Sequence, residues 1–457
     1  MVSWKSLTAA AFLAASAVAK TSCGPGSNCP KDSPCCNAYG ECGKGLHCLG
    51  GCDPRYSYKL DACMPMPACK SEVYHFNSTD GIVNQNKYLG DADKNPFSYT
   101  GDILEYSKDN SILITMKKES TGTVISSSHY VWFGKIKVTM KTSHRQGVVT
   151  DFILMSDVKD EIDYEFIGSD LDHAQSNYYF QGYTDYTNMK KADVDDTYDN
   201  YHTYEVDWTE DKIDYIIDGN TVRTVNKDDT YNETTKNYDF PQTPARLQLG
   251  IWPGGDDSQG QGTIDWAGGE IDWDSDDIKN QGYYYASIQS VEIQCYDAPS
   301  SAGGNGTKSY VFTDRKGTQD KVELSGKDTK LNDDDNTGLN NPKGHTADAS
   351  QVSSKTKSTK IPDASEVSKT KDGSTKTKGS SSSTSTGKSG GNSGGFSQGG
   401  DDDDDDSSSD SSSAQSTSSD SGSSSSASAS GNSSSAPIIA VSSSLLALVA
   451  GAAFVFM

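Results

Sequence analysis

The chain has 457 residues and sets 40 Lys and Arg against 64 Asp and Glu, a formal charge of −24 at pH 7. So acidic a chain is repelled by a phosphate backbone, which excludes nucleic acid as its partner. Ten cysteines, most of them crowded near one end, exclude a reduced cytosolic setting and point to an oxidising compartment.

The first stretch, MVSWKSLTAAAFLAASAVAK, carries Lys5 ahead of an apolar run from Leu7 to Val18, with Ala17 and Ala19 in an A-x-A arrangement. This predicts a secretory signal peptide over residues 1–19.

Cysteines dominate residues 20–69, with nine between Cys23 and Cys69 and the tenth at Cys295. A segment this small holds too little apolar surface to fold on a core alone, so a disulfide framework is expected and zinc is not. The stretch "CCNAYGECG", Cys35 to Gly43, resembles a hevein-type chitin-binding module. Such modules stack sugar faces on aromatic rings; here Tyr39 holds one aromatic position, Glu41 stands at a second and His47 lies near a third. Tyr39 is the sugar-contact candidate, and a purely structural cap is the other reading. The resemblance implies the pairs Cys23–Cys36, Cys29–Cys42, Cys35–Cys48 and Cys52–Cys63. With those made, Cys69 and Cys295 are left to join the first and last strands of the next domain.

Residues 70–299 read as a folded all-β domain. Ile136, Val138 and Met140 alternate with Lys135, Lys137 and Thr139, and the same period recurs at Leu247, Leu249, Ile251 and at Val291, Ile293, Cys295. Short alternating runs without a helical period predict an antiparallel β-sandwich, a single jelly roll at this length. Within it, "DEIDYE" (Asp160 to Glu165) packs four carboxylates into six residues. In a strand, Glu161, Asp163 and Glu165 share one face and Ile162, Tyr164 and Phe166 the other. A solvent-facing acidic strand is one reading. Yet acids are poor strand formers and like charges on one face repel, so the cost points to a functional site. The Glu161 and Glu165 α-carbons would lie roughly 13 Å apart. Side chains leaning together can close that to roughly 5 Å, the spacing of a retaining glycosidase's nucleophile and acid/base.

Residues 300–432 are low in complexity, with serine runs and the block Asp401 to Asp406, and predict a disordered, O-glycosylated stalk. Residues 433–457 then read as a GPI-attachment propeptide, with Asn432 or Gly431 as the anchor site. N-x-S/T sequons predict N-glycans at Asn77, Asn232 and Asn305; a fourth, at Asn432, is moot where that residue carries the anchor. Asp333 to Asp335 do not complete a calcium loop, since Thr337 holds the fifth position, and no metal site is expected.

E-I-D-Y-E resembles the E-x-D-x-E signature of glycoside hydrolase family 16, and "YHTYEVDW" (Tyr201 to Trp208) resembles a second hallmark. "PQTPARLQLGIWPGGD" (Pro241 to Asp256) and "GTIDWAGGEIDW" (Gly262 to Trp273) are similar to the fungal Crh cell-wall transglycosylases, in the branch with an N-terminal cysteine-rich module. The resemblance implies a curved jelly roll with substrate in the cleft of its concave face. It makes Glu161 the nucleophile, Asp163 the assisting residue and Glu165 the acid/base. It sets Trp252 and Trp266 along the cleft, where Gln175 and Asn177 are candidates for sugar hydroxyls; His202 and Trp208 serve structure or binding. The implied activity cleaves β-1,4-linked N-acetylglucosamine chains and transfers them to β-glucan, without a cofactor, in a monomer held at the cell wall and outer membrane face by its GPI lipid. A plain hydrolase of chitin or β-glucan, using the same residues, and a non-catalytic lectin remain open.

Overall fold

The computed structural model describes residues 21–340; the expected signal peptide, the stalk beyond residue 340 and the anchor candidates Gly431 and Asn432 lie outside them. Two eight-stranded sheets form the body. One runs Asn220–Asn226, Lys212–Ile217, His202–Trp208, Gly134–Lys141, Tyr283–Cys295, Ser111–Lys117, Asp102–Tyr106, with Glu72–His75 also paired to Tyr283–Cys295. Its alternation is the predicted one: Ile136, Val138 and Met140 are buried, while Lys135 reaches Glu205 at 3.2 Å and Lys137 reaches Glu292 at 2.8 Å.

The second sheet carries the acidic strand. In chain order its members are β1 (Ile82–Asn84), β2 (Phe97–Thr100), β3 (Thr123–Ser127), β4 (Val148–Ser156), β5 (Glu161–Ile167), β6 (His173–Tyr179), β7 (Lys190–Asp193) and β8 (Ala245–Pro253). Their spatial order is β7-β6-β5-β4-β8-β3-β2-β1. All neighbours are antiparallel except β1 and β2, which run parallel. The inner faces of the sheets interlock through Phe152, Leu154, Ile162, Tyr164, Phe166 and Trp208, among other buried side chains. Trp208 is therefore a core residue, its indole N–H donating to the Pro241 carbonyl at 3.1 Å. His202 is held between the Asp218 carboxylate (2.7 Å) and the Asp195 carbonyl (2.8 Å), a structural clasp. Two one-turn-and-a-half helices, Gln261–Trp266 and Asp276–Gln281, interrupt the strands.

Disulfides join Cys23–Cys36, Cys29–Cys42, Cys35–Cys48 and Cys52–Cys63 in the small module, and Cys69–Cys295 ties the ends of the sandwich. The module is docked against the turn between β4 and β5. Gly51 N–H donates to the Asp157 carboxylate (2.8 Å) and the Lys159 ammonium to the Ala38 carbonyl (2.6 Å).

The boundary expected at residue 300 needs correction. Ser309–Phe312 and Val322–Ser325 pair with each other, and Ser309–Phe312 also pairs with Met66–Pro67, in a four-stranded sheet completed by Gly303–Gly304. Tyr310 is buried, edge-on to Trp132 with ring centroids 5.5 Å apart. Arg315 donates to the Ser57 and Tyr58 carbonyls at 2.9 and 3.0 Å. Few apolar residues accomplish this docking, so composition alone reads the segment as stalk. Of the sequon residues, Asn77 and Asn305 are exposed; Asn232 is half-buried, its amide donating to Asp239 at 2.8 Å.

Candidate active site

Register arranges the outer face of the second sheet into rows, since residues directly opposite in an antiparallel pair point the same way. Tyr179, Glu161, Met155 and Arg246 form one row, and Asn177, Asp163, Ile153 and Gln248 the next. Gln175, Glu165, Asp151 and Gly250 form the third, and Ile167, Val149 and Trp252 the fourth. The three carboxylates of β5 thus share a face, as their spacing predicts. They are not an open solvent face: Glu161 and Asp163 are buried and Glu165 is half-buried.

Asp160, the first acid of "DEIDYE", belongs elsewhere. Its carboxylate accepts from Gln181 N–H (3.0 Å), Gln242 N–H (3.0 Å), Thr243 N–H (3.1 Å) and the Thr243 hydroxyl (2.6 Å), pinning the β4–β5 turn to the segment before β8. Burial pushes its carboxyl up to about 6 against those bonds.

Burial raises all three outer-face acids well above the ordinary carboxylate range, and their mutual charges add to it. The opposing influences differ. Lys159 pulls Glu161 back down, and Arg223, reaching across from the other sheet, does the same for Asp163. Neither Asp163 oxygen makes a hydrogen bond of ordinary geometry. Arg223 is itself fixed by the Ser176 and Asn188 carbonyls at 2.7 and 2.6 Å.

Trp252 and Trp266 stack with centroids 6.0 Å apart and planes at 25°, over Val149, Ile167 and Ala267. The Trp266 indole N–H donates to Gln175 Oε1 at 2.9 Å, carrying the pair to the Glu165 row. Asn177 is already engaged, its amide N donating to the Tyr179 hydroxyl (2.7 Å) and its oxygen accepting from Tyr178 N–H (2.9 Å). Tyr39 lies on the module with 47% of its surface exposed; Arg246, at the end of the Glu161 row, acts on its hydroxyl.

Sequence reasoning missed Asp151, Lys159, Arg223 and Tyr179. Asp151 hides in "VVTDFILMS", where both faces are buried and alternation is lost; a lone acid in such a run was the available signal. Among the described residues, the one cluster of side chains at metal-ligand spacing is Cys23, Cys29 and Cys36, all bound in disulfides.

Residues 92–268 match the glycosyl hydrolases family 16. The chain is 52% identical over 340 residues to Crh-like protein 3 of Botryotinia fuckeliana, covering 74% of this chain and 76% of that one. It is 47% identical over 375 residues to Crh-like protein UTR2 of Candida albicans (80% and 79%). To Congo red hypersensitive protein 2 of Saccharomyces cerevisiae it is 46% identical over 335 residues (73% and 72%). A solved structure of a Crh5 transglycosylase in complex with NAG aligns at 30% identity and TM-score 0.48, covering 60% of this chain and 100% of that one. With the E-x-D-x-E face and the jelly roll in place, the chain belongs to the Crh-like proteins of glycosyl hydrolase family 16, glycosyl-transferring enzymes of the cell wall.

Proposed function

We propose that this enzyme cleaves β-1,4-linked N-acetylglucosamine chains with retention and passes the cut chain to β-glucan, cross-linking the two polymers. One observation carries the reading: Glu161 and Glu165 lie on one face of β5, either side of the buried Asp163, beside a tryptophan stack suited to a pyranose ring. The donor and acceptor follow from the Crh resemblance.

In the first step a Glu161 carboxylate oxygen bonds to the anomeric carbon as the glycosidic C–O bond breaks, and Glu165 gives its proton to the departing oxygen. In the second, Glu165 takes the proton of an incoming sugar hydroxyl. The hydroxyl oxygen bonds to the anomeric carbon and the ester to Glu161 breaks. Lys159 favours the ionised Glu161 that the first step needs, while burial and Asp163 favour the protonated Glu165. Asp163 assists by its charge and proton, without touching the reacting bond. Trp252, Trp266 and Gln175 hold sugar rings, with Asn177 acting through Tyr179. Tyr39 offers a further contact on the module. A signal peptide and GPI anchor place the monomeric enzyme at the wall and outer membrane face.

The test is to incubate the purified protein with chito-oligosaccharide donor and labelled β-glucan oligosaccharide. Hybrid products are expected; shortened donor alone at saturating acceptor makes the enzyme a plain hydrolase, and no cleavage makes the site a binding face.

A further inference from the structure

Asp151 is the only acid in the nine-residue β4. Register sets it directly opposite Glu165 on one side and Gly250 on the other. A Cβ built at Gly250 would fall 2.6 Å from Asp151 Oδ1 and 2.7 Å from Oδ2. The Asp151 carboxyl therefore fills the space a side chain at position 250 would take, and glycine there makes room for it. Asp151 is 5% exposed. Two carboxylates directly opposite on a sheet repel, and in a buried site they cannot both ionise cheaply.

Neighbouring charges decide where protons stay. Lys159 acts on Glu161 and Arg223 on Asp163. The groups facing Glu165 are the acids Asp163, Asp151 and Glu161 and the Tyr179 hydroxyl; Asp151 acts on Glu161 and Asp163 as well, but register sets it directly opposite Glu165 alone. Those facing Asp151 from β8 are the Gly250 N–H and the Trp252 indole, neither carrying charge. Among the described residues no cation acts on this pair.

We propose that Asp151 is a positioning residue for the acid/base, sharing a single proton with Glu165. The inference rests on the role proposed above for Glu165. While Glu161 is ionised beside Lys159, the pair retains the proton that the leaving oxygen requires. Once Glu165 has given it up, two facing carboxylates remain, so Glu165 becomes a stronger base towards the incoming sugar hydroxyl. The proton returns to the pair as that hydroxyl oxygen bonds to the anomeric carbon. Burial pushing the Asp151 carboxyl up to about 7 agrees with a shared proton near neutrality.

Two measurements on the purified protein test this. The first compares kcat/KM against pH for wild type and Asp151→Asn on a chito-oligosaccharide donor. The alkaline limb of the variant is expected to move at least about one pH unit towards acid, so activity on the wild-type limb falls about tenfold further than at the acid optimum. An equal loss at every pH, with the limb unmoved, overturns the proposal in favour of a structural role. The second is a ¹³C-carboxyl NMR titration of the wild-type protein, which needs neither turnover nor a folded variant. Asp151 and Glu165 are expected to titrate together in two steps, the later one above neutrality. Asp151 ionising alone in the ordinary carboxylate range overturns the pair. If the protein cleaves no chito-oligosaccharide, the proposed donor fails, while this titration still judges the pair.

Discussion

Four acids in six residues divide into a clamp and the proposed reaction centre. Asp160 makes four hydrogen bonds to backbone and hydroxyl donors; Glu161, Asp163 and Glu165 share one face of β5. Their substitutions should differ in kind. Glu161→Gln is expected to abolish cleavage of every donor with the melting temperature at or above wild type, since a buried acid is removed. Glu165→Gln should still react with a glycosyl fluoride, whose leaving group needs no proton, and accumulate a sugar ester on Glu161 visible by intact-protein mass spectrometry. A sugar ester on residue 165 of the wild type, with none on Glu161, would reverse the two roles. Asp160→Ala should act through the fold, leaving four donors, three backbone N–H groups and the Thr243 hydroxyl, without an acceptor and costing about 2–4 kcal/mol in denaturant unfolding. A variant as stable as wild type but inactive would move Asp160 into the reaction centre.

Among the elements, those with one wet face were the readable ones. Gly134–Lys141 alternates because its lysines reach solvent, whereas β4 is covered on both faces and shows a nearly unbroken apolar run in which Asp151 gave no period to notice. The signature on β5 was legible because its cost is local: acids on alternate positions of a strand repel, which a site repays and a plain strand does not. Lys159 and Arg223 were illegible for the opposite reason, since they reach the site from a turn and from the other sheet. The segment 303–325 escaped because its apolar face is only Tyr310 and Phe312 opposite Leu324 and Val322, split between two four-residue strands within a polar stretch and helped by Arg315 and backbone pairing. That segment carries a prediction. A chain ending after Ser300 loses the strands paired to Met66–Pro67 and the ring packed on Trp132. It should be at least about 3 kcal/mol less stable than one ending after Asn340, since burying a large aromatic alone contributes that much. Equal unfolding midpoints for the two chains would put the domain boundary back at residue 300.

Across the whole molecule, buried acids set how stability depends on pH. Burial pushes Asp151 up to about 7 and Asp157 and Asp160 up to about 6, and lifts Glu161, Asp163 and Glu165 well above their ordinary range. In the unfolded chain these groups titrate near 4. Between about pH 4 and 7 the folded state therefore binds more protons than the unfolded one, and stability falls as pH rises through that window. A second set works the other way. Burial pushes Asp277 up, but hydrogen bonds from His144 and Arg145 outweigh it and hold its carboxyl low; His202 and Thr203 do the same for Asp218. Their contribution is lost only as pH falls below about 4. The two sets together place maximal stability at about pH 4–5, on the acid side of most proteins. A carboxyl that folding makes tenfold harder to ionise costs about 1.4 kcal/mol once it is charged, so the buried set should lower the melting temperature on the order of 10 °C between pH 5 and 8. Scanning calorimetry across that range measures it directly. Asp157→Asn, which removes one such acid away from the cleft, should flatten the slope, whereas a wild-type melting temperature that rises from pH 5 to 8 would show that these carboxyls ionise in the fold without penalty.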